Sequence, residues 1–147
     1  MSGGNLIFPK GKQNMLNGKI DLDKATAADI IYPICVAMVN TTYEYSAGYE
    51  FYHTSVSASQ VGDGGTATGT LSSKTIALGV FDAGSVTFSS VASGETVQGI
   101  VVFQSGNAGV ADYLIAQFDT GSEGAIDITT NGGDVTVNWN GSGLFSL

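Results

Sequence analysis

The sequence predicts an all-β fold, an antiparallel β-sandwich of the jelly-roll or immunoglobulin type, with one short helix near the N-terminus. Glycine is abundant, at 21 of 147 residues, and it disfavours helix interiors while suiting tight turns. Short segments rich in Val, Ile, Thr, Phe and Tyr recur at intervals of roughly 8–14 residues, with turn residues between them, which is typical of sandwiches and barrels. With 43% apolar and 12% charged residues, the chain has the composition of one packed domain.

The first 24 residues differ from the rest in charge. They carry four of the five lysines and have a net charge of +2, whereas residues 25–147 have a net charge of −10. Pro9 can open a helix and Asn17-Gly18 can close it, so we predict a helix of about two turns, too short to be stable without packing. We therefore divide the chain into a basic N-terminal arm with a short helix, residues 1–24, and a β-sandwich domain, residues 25–147.

The first strand of the domain is predicted from a continuous apolar run. Ile34 to Val39 has the composition of a central strand, and Pro33 fits its start. Cys35, the single cysteine, lies inside this run and is expected to be buried and inert. Aromatic residues alternate over residues 43–51 and predict a second strand, and the glycine-rich residues 61–65 predict a loop.

Six further strands are predicted in the second half of the chain. They cover residues 70–78, 85–91, 97–103, 113–118, 125–130 and 134–139. In the last of them Val135, Val137 and Trp139 alternate with polar residues and are expected to face the core. Asn131-Gly132-Gly133 predicts a hairpin that joins the last two strands. The apolar residues 144–147 predict a terminal strand.

The residue inventory argues against several classes of function. A net charge of −8 and the absence of arginine exclude nucleic acid as the main partner. No apolar run reaches the roughly 18 residues that a membrane span needs. One histidine, His53, and one cysteine cannot form a zinc site, and nothing in the sequence gives His53 a catalytic partner. We therefore expect no enzymatic activity, no metal and no cofactor.

The tyrosines between residues 43 and 52 leave one site-type alternative open. Aromatic rings of this kind can stack on sugars while Asn40, Glu44 or Glu50 binds hydroxyls, and Trp139 could act in the same way. The favoured interpretation is that some of these aromatic residues fill the core and the others lie in a protein interface, where tyrosine is enriched.

Several segments of the chain resemble small structural proteins from the virions of tailed bacteriophages. The similarity lies in residues 9–16 (PKGKQNML), 18–21, 79–89 (GVFDAGSVTFS), 95–103, 113–120, 130–139 (TNGGDVTVNW) and 143–147 (GLFSL). It implies a structural virion protein and leaves its role open between a capsid cement protein and a neck or tail component. Of these we expect a capsid cement or decoration protein that stabilises the head. A neck or tail component of the same virion is the alternative, and a carbohydrate-binding module for host attachment is a more distant one.

This resemblance also implies partners and a location. The partners would be the major capsid protein and further copies of the chain, as a dimer or trimer. The protein would be made in the host cytoplasm and would lie on the outer capsid surface or at the head–tail joint. We predict that the arm orders on the shell and can be removed without unfolding the domain. The expected contact residues are Leu6, Ile7, Phe8, Lys10, Lys12, Lys19, Tyr43, Tyr45 and Tyr49.

Overall fold

A computed structural model describes residues 3–22, 33–62, 68–106 and 109–147. Strands account for 37% and helices for 12% of the structure, and every strand pair is antiparallel, which confirms the predicted all-β class. The predicted loop at residues 61–65 and the expected domain boundary at residues 24 and 25 lie partly or wholly outside the described residues.

The secondary structure elements are short except at the centre of the main sheet. The helices are α1 (Pro9–Leu16), α2 (Tyr52–Ser55) and a 3-10 helix (Ser57–Ser59). The first seven strands are β1 (Leu6–Ile7), β2 (Ile34–Val39), β3 (Thr68–Thr70), β4 (Thr75–Ala77), β5 (Val80–Asp82), β6 (Val86–Phe88) and β7 (Thr96–Val97). The other seven are β8 (Gly99–Gln104), β9 (Leu114–Phe118), β10 (Thr120–Gly121), β11 (Gly124–Ala125), β12 (Ile128–Thr129), β13 (Val135–Val137) and β14 (Phe145–Ser146).

The largest sheet has five strands in the order β1-β9-β8-β2-β3. β2 pairs with β8 over its whole length, from Ile34 opposite Gln104 to Val39 opposite Gly99. All six residues of β2 are buried, as are all six of β8. The prediction of an interior strand over Ile34–Val39 is therefore confirmed.

This sheet is buried on both of its faces. Val36 and Met38 point into one core, which the small sheets cover, and Cys35 and Ala37 point into a second core. Phe8, the side chain of the residue that precedes α1, closes part of the second core. Burial on both faces explains why β2 is a continuous apolar run rather than an alternating one.

The predicted hairpin through Asn131-Gly132-Gly133 is wrong. β12 pairs with β7, and β13 pairs with β6, so the two segments do not pair with each other. Between these ladders the Val91 N–H donates to Gly133 O at 3.0 Å, and the Thr130 N–H donates to Glu95 O at 2.8 Å. Residues 128–137 thus run antiparallel along residues 86–97 as one irregular ribbon. Both segments thus pair with residues 86–97 rather than with each other, and Val135, Val137 and Trp139 still pack against the core as predicted.

The described residues of the N-terminal segment pack against the five-stranded sheet. Leu6 and Ile7 pair with β9, and the Phe8 N–H donates to Ile115 O at 2.9 Å. Phe8 itself is fully buried. The predicted helix is confirmed as α1, and Gly11 lets it lie directly on β9: a Cβ there would be 2.6 Å from Leu114 O. Burial of Phe8 and pairing of β1 hold the described residues of this segment against the sheet, and the division at residue 24 stays a prediction.

Two predicted strands also differ from the structure. Residues 43–50 form no strand, and turns lie at residues 41–42, where the Tyr43 N–H bonds to Asn40 O, and at residues 47–48, where the Tyr49 N–H bonds to Ser46 O. Residues 70–78 divide between β3 and β4, which belong to different sheets, with Ser73 at a positive φ of 51° between them. In both cases turns interrupt a segment whose composition is typical of a strand.

Candidate docking surface

A groove of about 380 Å³ lies where the N-terminal segment meets the end of the chain. Most of its lining is apolar, and Lys12 is the one charged residue in that lining. The lining residues are Asn5, Leu6, Ile7, Lys12, Phe118, Leu144, Phe145 and Ser146. The groove therefore combines an apolar floor with a single cation supplied by α1.

Two edge strands border this groove. β1 is the end strand of the five-stranded sheet, and β14 is the end strand of the three-stranded sheet β14-β5-β4. Within the described residues neither strand has a second strand neighbour. An edge strand carries backbone donors and acceptors that another chain can pair with. The groove thus offers apolar contact and backbone hydrogen bonding at the same place.

The structure brings only part of the predicted contact set to this groove. Leu6, Ile7 and Lys12 line it. Phe8 and Tyr43 have relative exposures of 0% and 1%, so the expectation that they contact a partner is corrected: both fill the second core.

The other predicted contact residues lie away from the groove lining. Lys10 is half-buried, whereas Lys19 is exposed with its Nζ 5.8 Å from the centre of the Tyr113 ring. Tyr45 and Tyr49 are half-buried and pack against the second core.

The tyrosine segment mainly packs the interior. The Tyr43 hydroxyl donates to Gln117 Oε1, and the Tyr52 hydroxyl is hydrogen-bonded to Gln60. The Tyr52 ring stacks on Phe103 with 3.8 Å between the ring centres. Burial raises the pKa of both tyrosines above the ordinary value for a phenol. These two side chains are therefore structural.

The groups considered for sugar binding already have partners within the chain. Asn40 Oδ1 accepts hydrogen bonds from the backbone N–H and the hydroxyl of Thr42. Glu50 accepts one from Asn14. The Trp139 indole N–H donates to a backbone carbonyl, that of residue 84, at 3.0 Å. Sugar binding at these side chains would have to compete with those contacts.

One cluster was not expected from the sequence. His53 Nδ1 lies 2.8 Å from Asp112 Oδ2, which also accepts the His53 backbone N–H at 2.7 Å. Asp112 Oδ1 accepts the Gly109 N–H at 2.6 Å, and Asp112 is fully buried. The sequence alone does not indicate this pair, because the fold joins residues that are 59 positions apart. The contacts identify Asp112 as an anchor that ties α2 to the turn before β9.

A hydroxyl close to His53 in sequence bonds to the backbone rather than to the imidazole. Ser57 Oγ donates to the carbonyl oxygen of His53 at 2.8 Å, and no hydroxyl of a described residue is hydrogen-bonded to the imidazole.

The thiol of Cys35 is buried, and burial raises its pKa, with a weaker opposing effect of the Thr70 hydroxyl. A raised pKa keeps this thiol protonated and unreactive near neutral pH.

A second, smaller cavity of about 200 Å³ carries two carboxylates, Asp119 and Asp127. Asp119 already accepts hydrogen bonds from the Gly4 N–H and the Thr120 hydroxyl. Across the described part of the chain, no three His, Cys, Asp or Glu side chains gather in a way that could hold a metal ion. None of the helices there is long and apolar enough to cross a membrane.

Comparison with protein families, curated proteins and solved structures gives no match for this chain.

Proposed function

We propose that this protein is a structural component of a tailed-bacteriophage virion, a capsid cement protein that binds the assembled head through the groove between β1 and β14. The observation that carries the proposal is the position of this groove between two edge strands, with Leu6, Ile7 and Lys12 in its lining. The resemblance of residues 79–89, 130–139 and 143–147 to phage structural proteins supports the same assignment.

The distribution of charge supports docking at this end of the molecule. Residues 3–22 carry three lysines against the single acid Asp21, whereas the remainder of the chain is strongly acidic. A net negative charge keeps unbound copies soluble and mutually repelling. A basic patch on such a molecule can then direct it to an acidic region of the shell at a defined orientation.

The groove suits an extended apolar segment of the major capsid protein that carries an acidic residue. Such a segment would bury its apolar side chains on Phe118, Leu144 and Phe145, and its backbone would pair with the edge of β1 or β14. A carboxylate next to Lys12 would fix the register. Apolar burial would supply most of the affinity, and the charge pair would supply orientation and rate of association.

The test measures the number of protein copies bound to capsids that have been stripped of this protein. Lys12→Glu is compared with Lys19→Glu, a matched control that makes the same charge change outside the groove. We expect Lys12→Glu to weaken binding roughly tenfold or more. The variant should also bind with a weaker dependence on salt, because it lacks the attraction between Lys12 and the capsid carboxylate, which salt screens. Lys19→Glu should bind nearly as wild type does. Unchanged binding of Lys12→Glu, or equal losses in the two variants, would overturn the proposal.

The same groove would also serve a neck or tail component, which is the second candidate. Copy number in purified particles distinguishes the two positions, because a cement protein covers the whole shell and a neck protein occupies one vertex. A copy number that scales with the number of major capsid subunits supports cement. A few copies per particle would assign the protein to the neck or tail.

A further inference from the structure

Three asparagines of this chain are followed by glycine: Asn17, Asn131 and Asn140. We propose that Asn131 and Asn140 are sites of spontaneous conversion to aspartate and isoaspartate in the folded protein, and that the fold protects Asn17. The inference does not depend on the proposed function, because it rests on turn geometry and amide chemistry alone.

The reaction needs no reagent except water. The backbone nitrogen of the following residue loses its proton to solvent base and attacks the side-chain carbonyl carbon, Cγ, of the asparagine. A bond forms between this nitrogen and Cγ, the departing Nδ2 takes up a proton from solvent, the bond between Cγ and Nδ2 breaks, and ammonia leaves to give a cyclic succinimide. Water then adds to one of the two ring carbonyls and opens the ring, which yields aspartate or isoaspartate. No oxidation or reduction takes place.

Asn131 and Asn140 both have the side chain folded over the peptide bond that follows. Asn131 Oδ1 accepts the backbone N–H of Gly133 at 2.9 Å, and Asn140 Oδ1 accepts that of Ser142 at 2.8 Å. These are Asx turns, in which the side-chain carbonyl lies beside the backbone nitrogen of the intervening residue. Both asparagines are exposed, so water reaches the reacting groups.

The attacking nitrogens in these two turns are free to react. The N–H groups of Gly132 and Gly141 have no hydrogen-bond partner among the described residues. Glycine also has no side chain to obstruct closure of the five-membered ring. Geometry, exposure and a free nitrogen thus coincide at both positions.

Asn17 has the same sequence neighbour but a different backbone environment. It ends α1, where the Gly18 N–H donates to Met15 O at 3.1 Å and the Lys19 N–H donates to Asn14 O at 2.9 Å. The nitrogen that must attack is therefore held in the helix C-terminus. Opening of this turn has to precede reaction, which slows it.

Asn40 provides a second internal comparison. Its Oδ1 accepts the Thr42 N–H at 3.0 Å, so it also forms an Asx turn, but Thr41 follows it. The β-branched side chain of Thr41 crowds the attacking nitrogen. Comparison with Asn40 thus shows the effect of the glycine that follows, because Asn40 has the same Asx turn without it. Comparison with Asn17 shows the effect of the turn, because Asn17 is followed by glycine but lies at a helix end.

Conversion at Asn131 would alter a point where the ribbon of residues 86–97 and 128–137 is anchored. Residue 131 lies between Thr130, which bonds to Glu95, and Gly133, which bonds to Val91. Isoaspartate adds a carbon atom to the backbone between these two anchors, and either product adds a negative charge. The protein would therefore change slowly at a defined place as it ages.

The experiment incubates the folded wild-type protein in mildly alkaline buffer and follows each asparagine by peptide mass spectrometry, with separation of aspartate from isoaspartate. We expect Asn131 and Asn140 to convert roughly tenfold faster than Asn17, since the latter must first lose hydrogen bonds. In urea, Asn17 should become as fast as the other two, while Asn40 stays slow. Equal rates for Asn17, Asn131 and Asn140 in the folded protein would overturn the inference.

A variant separates the role of the attacking residue from that of the turn. A Cβ at Gly141 would meet no atom within 4 Å, so Gly141→Ala should fold normally. We expect it to slow conversion of Asn140 several-fold while that of Asn131 stays unchanged. Conversion of Asn140 at the wild-type rate in this variant would contradict the proposed attack.

Discussion

The hydroxyl of Tyr43 donates a 2.8 Å hydrogen bond to Oε1 of Gln117 in the interior of the domain. Gln117 Nε2 in turn donates to the backbone carbonyl of Gly4 at 3.0 Å. Three segments that are distant in sequence are therefore joined by one buried amide. Because a buried polar group that loses its partner is costly, this amide makes the N-terminal segment an integral part of the structure.

The first prediction concerns this hydrogen bond. Tyr43→Phe keeps the buried ring and removes the donor to Gln117, and we expect the free energy of unfolding to fall by about 1–3 kcal/mol. Urea denaturation measures it. Tyr45→Phe is the control, because Tyr45 is only half-buried, and it should change stability by less than about 0.5 kcal/mol. Equal effects of the two variants would contradict the role given to the hydrogen bond.

Stability should decrease at alkaline pH. Burial raises the pKa of Tyr43, Tyr52 and Cys35 in the folded state. The unfolded chain therefore loses these protons at lower pH than the folded chain does, and their contribution is fully present below the unfolded-state pKa values and is lost as pH rises above them. With ordinary values of about 8.5 for cysteine and about 10 for tyrosine, the fall should begin near pH 9 and steepen above about pH 10.

Urea denaturation across this pH range provides the measurement. Tyr43→Phe and Tyr52→Phe should each reduce the steep part of the decrease, because each removes one titrating group. A free energy of unfolding that stays constant through the tyrosine range would show that the two hydroxyls ionise equally easily in both states.

The third prediction is that Gly11→Ala lowers the free energy of unfolding, although helix propensity alone would predict an increase. Gly11→Ala should stabilise an isolated helix by about 1 kcal/mol. In this domain the added Cβ would lie 2.6 Å from Leu114 O and 3.0 Å from Ile115 O, both of which are backbone atoms that cannot move aside easily. We expect a net loss of about 1–3 kcal/mol in the free energy of unfolding. Gln13→Ala, on the exposed side of α1, is the control and should be nearly neutral; stabilisation by Gly11→Ala would mean that α1 does not lie on β9.

The fourth prediction tests which face of β13 is turned to the core. Val137 is half-buried against the main core and pairs with Val86, whereas Asn138 is exposed. Val137→Asp should cost about 2–3 kcal/mol, because a charge is moved to a partly apolar site. Asn138→Asp introduces the same charge one residue along and should cost less than about 0.5 kcal/mol. Thermal or urea unfolding of both variants gives the comparison, and similar losses would place both residues in similar surroundings.

The features that were predictable from sequence are those set by local chemistry. The apolar run Ile34–Val39 specified an interior strand, and Pro9 with Asn17-Gly18 specified the limits of α1. The apolar end of the chain specified β14. In each case the residues whose pattern predicts the strand or helix are also the residues that form it.

Sequence alone did not predict which distant segments pair or contact each other in the fold. Asn131-Gly132-Gly133 does bend the chain, but the strands on either side pair with residues 86–97 and not with each other. The link between His53 and Asp112 depends likewise on α2 and the turn before β9 being brought together. For the candidate site, sequence identified Leu6, Ile7 and Lys12, whereas Phe118 and the chain end joined them only through the fold.

The pairing of Leu6 with Gln117 has a consequence for the order in which the chain can fold. β1 can take its place in the sheet only after β9 has been made, so Leu6 and Ile7 must wait for a partner that lies far along the chain. Contacts of such large sequence separation raise the relative contact order and are associated with folding in milliseconds to seconds rather than microseconds. During synthesis the apolar side chain of Phe8 therefore lacks its partners in β9 until residues 114–118 have been made.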